Sequence, residues 1–225
     1  MNRLGEVKIE IPYLDGTLVL SIPEKNFAEI LSPQDIIPLG SLDRTIDQAL
    51  MDPIGCPPLL EMIHPKDRIL IIIDDNTRLT PVNRLLPPLF EEFKKRGIPD
   101  HQIQILIALG THRALTSEEM KVKVGGPIFR RVKVMNHNYK DRADLVDLGV
   151  TTNGTPLKVN RLSLESDFVM GIGSIIPHHI AGYSGGSKII QPGICGVETT
   201  ARTHLLSTRA PENLLGQLDN LVRRE

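Results

Sequence analysis

Arg68-Ile-Leu-Ile-Ile-Ile-Asp74, then an amphipathic stretch over residues 81–96, then Gln102-Ile-Gln-Ile-Leu-Ile-Ala-Leu109 decide the fold. The apolar run after Arg68 does not alternate with polar residues. A strand of that kind is buried on both faces, as in the middle of a parallel sheet. Gly97-Ile98-Pro99 ends the intervening helix. Two such strands joined by a helix form a right-handed crossover. Thr116-Ser-Glu-Glu opens a further, capped helix, and Val132-Lys-Val-Met135 and Phe168-Val-Met-Gly171 read as two more strands. Thr152-Asn-Gly-Thr-Pro-Leu-Lys-Val159 reads as a hairpin. The expected class is α/β, an open, mostly parallel sheet flanked by helices.

Upstream, Val7-Lys-Ile-Glu-Ile-Pro12 and Thr17-Leu-Val-Leu-Ser-Ile22 flank Asp15-Gly16, a turn signal for a small N-terminal β-hairpin. Residues 43–51 suggest a short helix, and Asp52-Pro53 and Pro57-Pro58 break the chain after it. Downstream of Lys188 the pattern is mostly helical, punctuated at Pro192-Gly193. The last residues, Leu221-Val-Arg-Arg-Glu225, look like the interior of a helix with no stop signal. The expected organisation is one α/β domain over residues 1–208, with 1–60 as its hairpin-and-helix lead-in. Residues 209–225 would begin a helical connection to a second domain, making this chain the N-terminal half of a two-domain protein.

Composition narrows the function classes. The 225 residues are 40% hydrophobic and 24% charged, as in an ordinary globular protein. A net charge of −1 offers no basic footprint for nucleic acid. Apolar runs are too short to cross a bilayer, and the N-terminus lacks a signal-peptide core, so the expected location is cytoplasmic. The two cysteines, Cys56 and Cys195, form no metal-spaced pair.

In an open parallel sheet the ligand sits beyond the carboxyl ends of the strands. Three such ends carry polar clusters here: Asp74-Asp75-Asn76-Thr77-Arg78, Gly110-Thr111-His112-Arg113, and Pro177-His178-His179-Ile180-Ala181-Gly182-Tyr183-Ser184-Gly185-Gly186-Ser187-Lys188. Their shared position implies one composite site. Arg78 offers a planar fork for a carboxylate or phosphate, and Asp75 can orient a histidine or, alternatively, cap the following helix. An imidazole such as that of His112 suits proton exchange near neutral pH. His178 and His179 are adjacent, so in an extended segment only one of them faces the site. Gly182, Gly185 and Gly186 permit close approach by a ligand. The run is not a Walker loop, because Ser187 separates the glycine pair from Lys188 and Ile189 follows it. Lys188 can act as a counter-charge or, desolvated, as a nucleophile. His204 can ligate a metal. His64, His101 and His137 read as structural or surface residues.

Taken together, Asp75-Asn-Thr-Arg78 with Pro81, Gly110-Thr-His-Arg113, His178-x-x-Ala-Gly-Tyr-Ser-Gly-Gly-x-Lys188, Pro192-Gly193 and His204 resemble the nickel-dependent lactate racemase family. Ile9-Glu-Ile-Pro-Tyr13 and Asp52-Pro-Ile-Gly55 are similar to it as well, so the likeness runs from the N-terminus to about His204. The resemblance implies a racemase or epimerase of a lactate-like 2-hydroxy acid. It implies a nickel-pincer nucleotide (nickel pyridinium-3,5-bisthiocarboxylic acid mononucleotide) attached covalently to Lys188 and absent from apo preparations. His204 would be the nickel ligand, and His112 and His178 the paired acid/base residues. Asp75, Thr77, Arg78, Ser184, Gly185 and Gly186 would help place cofactor and substrate. The implied partners are a small 2-hydroxy acid, cofactor-maturation enzymes and a C-terminal domain outside this chain. Two other readings of the same residues stay open. One is a non-catalytic nucleotide- or phosphate-binding module built on the glycine turn and Lys188. The other is a zinc-dependent hydrolase, with His112, His178 and His204 gathered on one metal.

Overall fold

The computed structural model describes residues 5–14, 16–32, 40–210 and 213–225. The chain falls into two compact units, residues 1–39 and 40–225. In the first, β1 (Glu6–Tyr13) and β2 (Gly16–Pro23) form an antiparallel hairpin, paired from Glu6 opposite Pro23 to Tyr13 opposite Gly16. This is the expected hairpin. Of its turn signal, Asp15 lies outside the described residues, while Gly16 opens the returning strand.

The second unit begins with α1 (Leu42–Met51), capped by the Ser41 hydroxyl, and the single turn α2 (Leu59–Met62). The expected β-α rhythm follows. β3 (Ile69–Asp74) leads through α3 (Val82–Lys95) to β4 (Ile103–Ala108). From there α4 (Ser117–Val124) and α5 (Gly126–Phe129) lead to β5 (Lys133–Asn136). The antiparallel hairpin of β6 (Leu145–Val150) and β7 (Pro156–Asn160) and the short α6 (Leu162–Glu165) carry the chain back to β8 (Phe168–Ile172). Residues 152–159 thus hold the turn and returning strand of the expected hairpin, and its first strand lies upstream.

Strands β3, β4, β5 and β8 form one parallel sheet in the order β5-β4-β3-β8. Both faces of β3 are covered, which is why its sequence does not alternate. Ile69, Ile71 and Ile73 pack with Leu86, Phe90 and Phe93 of α3, while Leu70 and Ile72 pack with Val159, Ile194 and Cys195. Each such fully buried side chain contributes about 1.5–3 kcal/mol. That packing keeps α3 helical in spite of Pro87 and Pro88 within it.

Beyond β8 the chain differs from expectation. The His178–Lys188 segment is not a direct strand-to-helix turn. It folds as a tight ladder between β9 (Pro177–His178) and β10 (Gly182–Tyr183), followed by a 3₁₀ turn over Gly186–Ile189. The mostly helical pattern expected after Lys188 is realised in α7 (Val197–Ser207), and of residues 213–225 only α8 (Leu221–Arg224) is α-helical. Glycine explains the tight path. Gly182 sits at φ +76, and a Cβ there would lie 1.8 Å from the Gln217 carbonyl oxygen. Among the described residues no helix is long and apolar enough to cross a membrane.

Candidate functional site

β3 has its neighbours on one side reached by forward crossovers and β8 on the other, so the sheet's switch point lies at its carboxyl end, where ligands bind in this architecture. A cavity of about 310 Å³ opens there. The loop after β3 contributes Asp74, Asp75 and Arg78, the loop after β4 contributes Gly110 to His112, and the segment after β8 contributes His178, His179, Ser184, Gly185 and Lys188. Thr200 and His204 of α7 close it. Thr77 and Gly186 do not line the cavity, although Thr77 acts on it through Asp75.

Asp75 is buried and its carboxylate is fully engaged. Its Oδ1 accepts from the Thr77 backbone N–H at 3.0 Å and the Thr77 hydroxyl at 2.6 Å. Its Oδ2 lies 2.5 Å from His112 Nδ1. A carboxylate only accepts, so the His112 ring carries its proton on Nδ1 and leaves Nε2 with a free lone pair. Arg113, next in sequence, turns away from the cavity into an ion pair with Glu119, which also accepts from Asn76 and so ties the first two loops together. The Arg78 guanidinium has no partner among the described residues and is free to grip an anion.

His178 is held in the opposite sense. Its Nδ1 accepts from the backbone N–H groups of Ile180 at 3.1 Å and Ala181 at 3.4 Å. The neutral ring therefore carries its proton on Nε2. Burial first, and then the neighbouring basic side chains of Lys188, His179, Arg78 and His204, push its pKa down to about 4. The expectation that only one of the adjacent histidines faces the site is corrected. The extended strand ends at His178, the chain turns at His179, and the two rings stack 4.8 Å apart, both lining the cavity.

Lys188 lies on the 3₁₀ turn. Burial and then Arg78 push its amine down to about 8, partly opposed by Asp75, with Arg223 adding to the fall. An amine with that pKa is only about one-tenth unprotonated at pH 7, but that is far more than for an ordinary lysine, so it is the more nucleophilic. The His204 Nδ1 lies 2.7 Å from the Thr200 carbonyl one helical turn back, so Nδ1–H donates there and Nε2 is left as a ligand atom, as in metal-binding histidines whose other ring nitrogen is anchored on a carbonyl. The acceptor is a backbone carbonyl, which any residue one helical turn back supplies, so no residue pattern signalled this support. Ser184 is buried, donating to the Ser174 carbonyl at 2.6 Å and accepting from Ile176 N–H at 3.0 Å. It shapes the loop with Gly185, whose φ of +66 places a hypothetical Cβ 2.9 Å from the same carbonyl oxygen.

His137 is a core residue, donating through Nε2 to the Cys195 carbonyl at 3.0 Å and accepting at Nδ1 from Asn160 at 3.2 Å, with burial lowering its pKa. Among the described residues no three His, Cys, Asp or Glu side chains gather to hold a metal, so the zinc-hydrolase reading lacks the convergence it requires.

Known proteins resemble this chain over most of its length. Residues 13–216 match the family model described as the lactate racemase N-terminal domain. The lactate racemase of Thermoanaerobacterium thermosaccharolyticum is 33% identical over 202 residues, 87% of this chain and 46% of that protein. That of Lactiplantibacillus plantarum is 32% identical over 200 residues, 88% of this chain and 47% of that protein. The chain thus spans about half the length of the curated relatives it matches. The solved lactate racemase apoprotein of T. thermosaccharolyticum superposes with a TM-score of 0.81 at 31% identity, covering 97% of this chain and 51% of that one. A Thermotoga maritima protein superposes at 0.68 with 28% identity, covering 81% of this chain and 45% of that one.

Proposed function

Since the chain belongs to the lactate racemase N-terminal domain family, we propose that it is the cofactor-bearing catalytic part of a cytoplasmic racemase or epimerase acting on a lactate-like 2-hydroxy acid. The observation that carries this reading is the convergence of His112, His178, Lys188, His204 and Arg78 on one cavity. The reading includes a second domain, of the kind the remaining half of the relatives would form, and cofactor-maturation enzymes as partners.

The residues fit the nickel-pincer nucleotide implied by the resemblance. Lys188 presents a depressed, half-buried amine suited to a covalent link, and His204 presents Nε2 with Nδ1 anchored on Thr200. When bound, that group supplies a reversible hydride acceptor, which spares the substrate a carbanion. The chain's own residues do the rest. Arg78 grips the substrate carboxylate with its unpaired guanidinium. His112 takes the hydroxyl proton on Nε2, and Asp75 stabilises the imidazolium that forms. His178 presents Nε2–H to the substrate oxygen from its own side of the cavity. The two rings thus offer one acceptor, His112, and one donor, His178, and serving the mirror-image substrate requires His178 to release its Ile180 and Ala181 bonds and present a lone pair.

Intact mass measurement of protein produced together with the cofactor-making enzymes tests this reading. The expected result is an adduct on Lys188 that is absent from Lys188→Ala. A fully active preparation with unmodified Lys188 would refute it. His112→Ala and His178→Ala should each abolish racemisation while nickel stays bound, and His204→Ala should lose the nickel.

A further inference from the structure

Lys123 of α4 does not line the cavity, yet its ammonium lies behind the wall that presents Asp75 and Arg78. Its side chain is 8% exposed, and Nζ lies 2.8 Å from Asp74 Oδ1. Nζ also donates to the Arg78 carbonyl at 3.0 Å and to the Thr80 carbonyl at 3.5 Å. One ammonium thus makes an ion pair with Asp74 and hydrogen bonds to two carbonyls of the loop after β3. The network continues across the sheet's edge. The Thr80 hydroxyl donates to Asp74 Oδ2 and lies 2.6 Å from the Ser174 hydroxyl, and Ser174 N–H reaches the same carboxylate oxygen at 3.4 Å. Since the Thr80 proton is committed to Asp74, the Ser174 hydroxyl is the donor to Thr80. The Ser174 carbonyl in turn accepts from Ser184 in the lysine-bearing segment. One cation from α4 therefore ties together the loops after β3 and β8.

We propose that Lys123 is a positioning residue for substrate binding: it fixes the Asp75–Arg78 turn through the Arg78 carbonyl and neutralises Asp74 beside the cavity, keeping the site receptive to a carboxylate. This rests on reading the cavity as a 2-hydroxy-acid site. Asp74 lines that cavity. Without Lys123 its charge would stand uncompensated where an anionic substrate must enter, and like charges in a half-buried site repel strongly. The Arg78 carbonyl would also lose its donor, loosening the residue that grips the substrate.

The test compares Lys123→Met, Lys123→Arg and the double variant Asp74→Asn/Lys123→Met in the cofactor-loaded enzyme. Removing one member of a buried pair threatens folding, whereas removing both spares it, so the double variant keeps the test informative. Lys123→Met should raise KM for the 2-hydroxy acid about tenfold with kcat within about threefold, the signature of lost binding that is uniform through the reaction, and the double variant, which loses the Arg78 tether without stranding a charge, should raise KM by less. Lys123→Arg should stay near wild type. A KM equal to wild type in the double variant would overturn the proposal, whatever its melting temperature. Amide hydrogen exchange reads the same role without catalysis. In the double variant the Thr77 and Arg78 amides, which bond to the Asp75 carboxylate and carbonyl, should exchange faster, while β4 amides are unchanged. Unaltered exchange at both overturns the proposal even if wild-type enzyme racemises nothing, an outcome that would sink only the functional reading.

Discussion

Asp75→Asn tests the acid/base assignment at its base. Asp75 accepts three hydrogen bonds, two from Thr77 and one from His112 at 2.5 Å. An asparagine keeps the shape but has one accepting oxygen and one donating amide. The Thr77 backbone N–H cannot turn away, so the oxygen faces Thr77 and the amide faces His112. The imidazole must then move its proton from Nδ1 to Nε2, which removes the lone pair that accepts the substrate proton. Two magnitudes bound the effect. A hydrogen bond to a charged group is worth about 1.5–3 kcal/mol. The Asp75 side chain is 4% exposed but that of His112 is 55% exposed, so screening favours the lower value, about tenfold in rate. The reversed tautomer is the larger effect, since the equivalent change in a Ser-His-Asp triad costs about 10⁴ in kcat. The expected loss in kcat therefore lies between about tenfold and about 10⁴-fold, with the cofactor still attached. The assay is chiral quantification of both lactate enantiomers with time. Because the two are mirror images, kcat/KM must fall equally in both directions. An Asp75→Asn enzyme within threefold of wild-type kcat would refute the argument.

Three further outcomes follow from the structure. In the apo chain, Lys188 should react with an amine-specific acylating reagent with a midpoint near pH 8, ahead of the other lysines, and Lys188→Ala should lack that fast phase. Gly182→Ala should lower stability by at least about 2 kcal/mol, combining a left-handed backbone angle with a clash, and so reduce the melting temperature by about 4–8 °C in a domain of this size. His137 and His178 both have lowered folded-state pKa values. Below about pH 6.5 the unfolded chain takes up protons that these folded rings refuse, so the melting temperature should fall as pH drops toward 4, and His178→Gln should flatten part of that decline.

The sheet was legible because burial on both faces leaves an unmistakable run at Ile69–Ile73, and because glycine and proline mark the end of α3. The three polar clusters were legible for a topological reason, since parallel strands bring their carboxyl ends to one edge. What sequence did not reveal is held by tertiary contact. The support of Arg78 by Lys123 crosses from one helix to a distant loop, and no local pattern encodes it. The stacking of His178 on His179 depends on the chain bending between them, which an extended-strand argument assigns wrongly. His137 became a core residue because Asn160 and the Cys195 carbonyl satisfy both its ring nitrogens. The path before Lys188 departs from a direct strand-to-helix turn because Gly182, at positive φ, pairs with His178 in the β9–β10 ladder, and Gly185 and Gly186, also at positive φ, lead into the 3₁₀ turn.

The order β5-β4-β3-β8 also bears on biosynthesis. Arg68 meets Asp167, and Asp74 meets Ser174, across about a hundred residues of intervening chain. Such distant pairings form late, because the closure entropy of the long loop opposes them until β8 docks. A ribosome that has released only β3 through β5 has exposed His112 and Arg78 but has not yet synthesised Lys188. On the proposed function, attachment of a group at Lys188 must therefore wait until β8 and the segment after it have docked, so an enzyme performing it would meet an assembled crevice rather than a nascent strand.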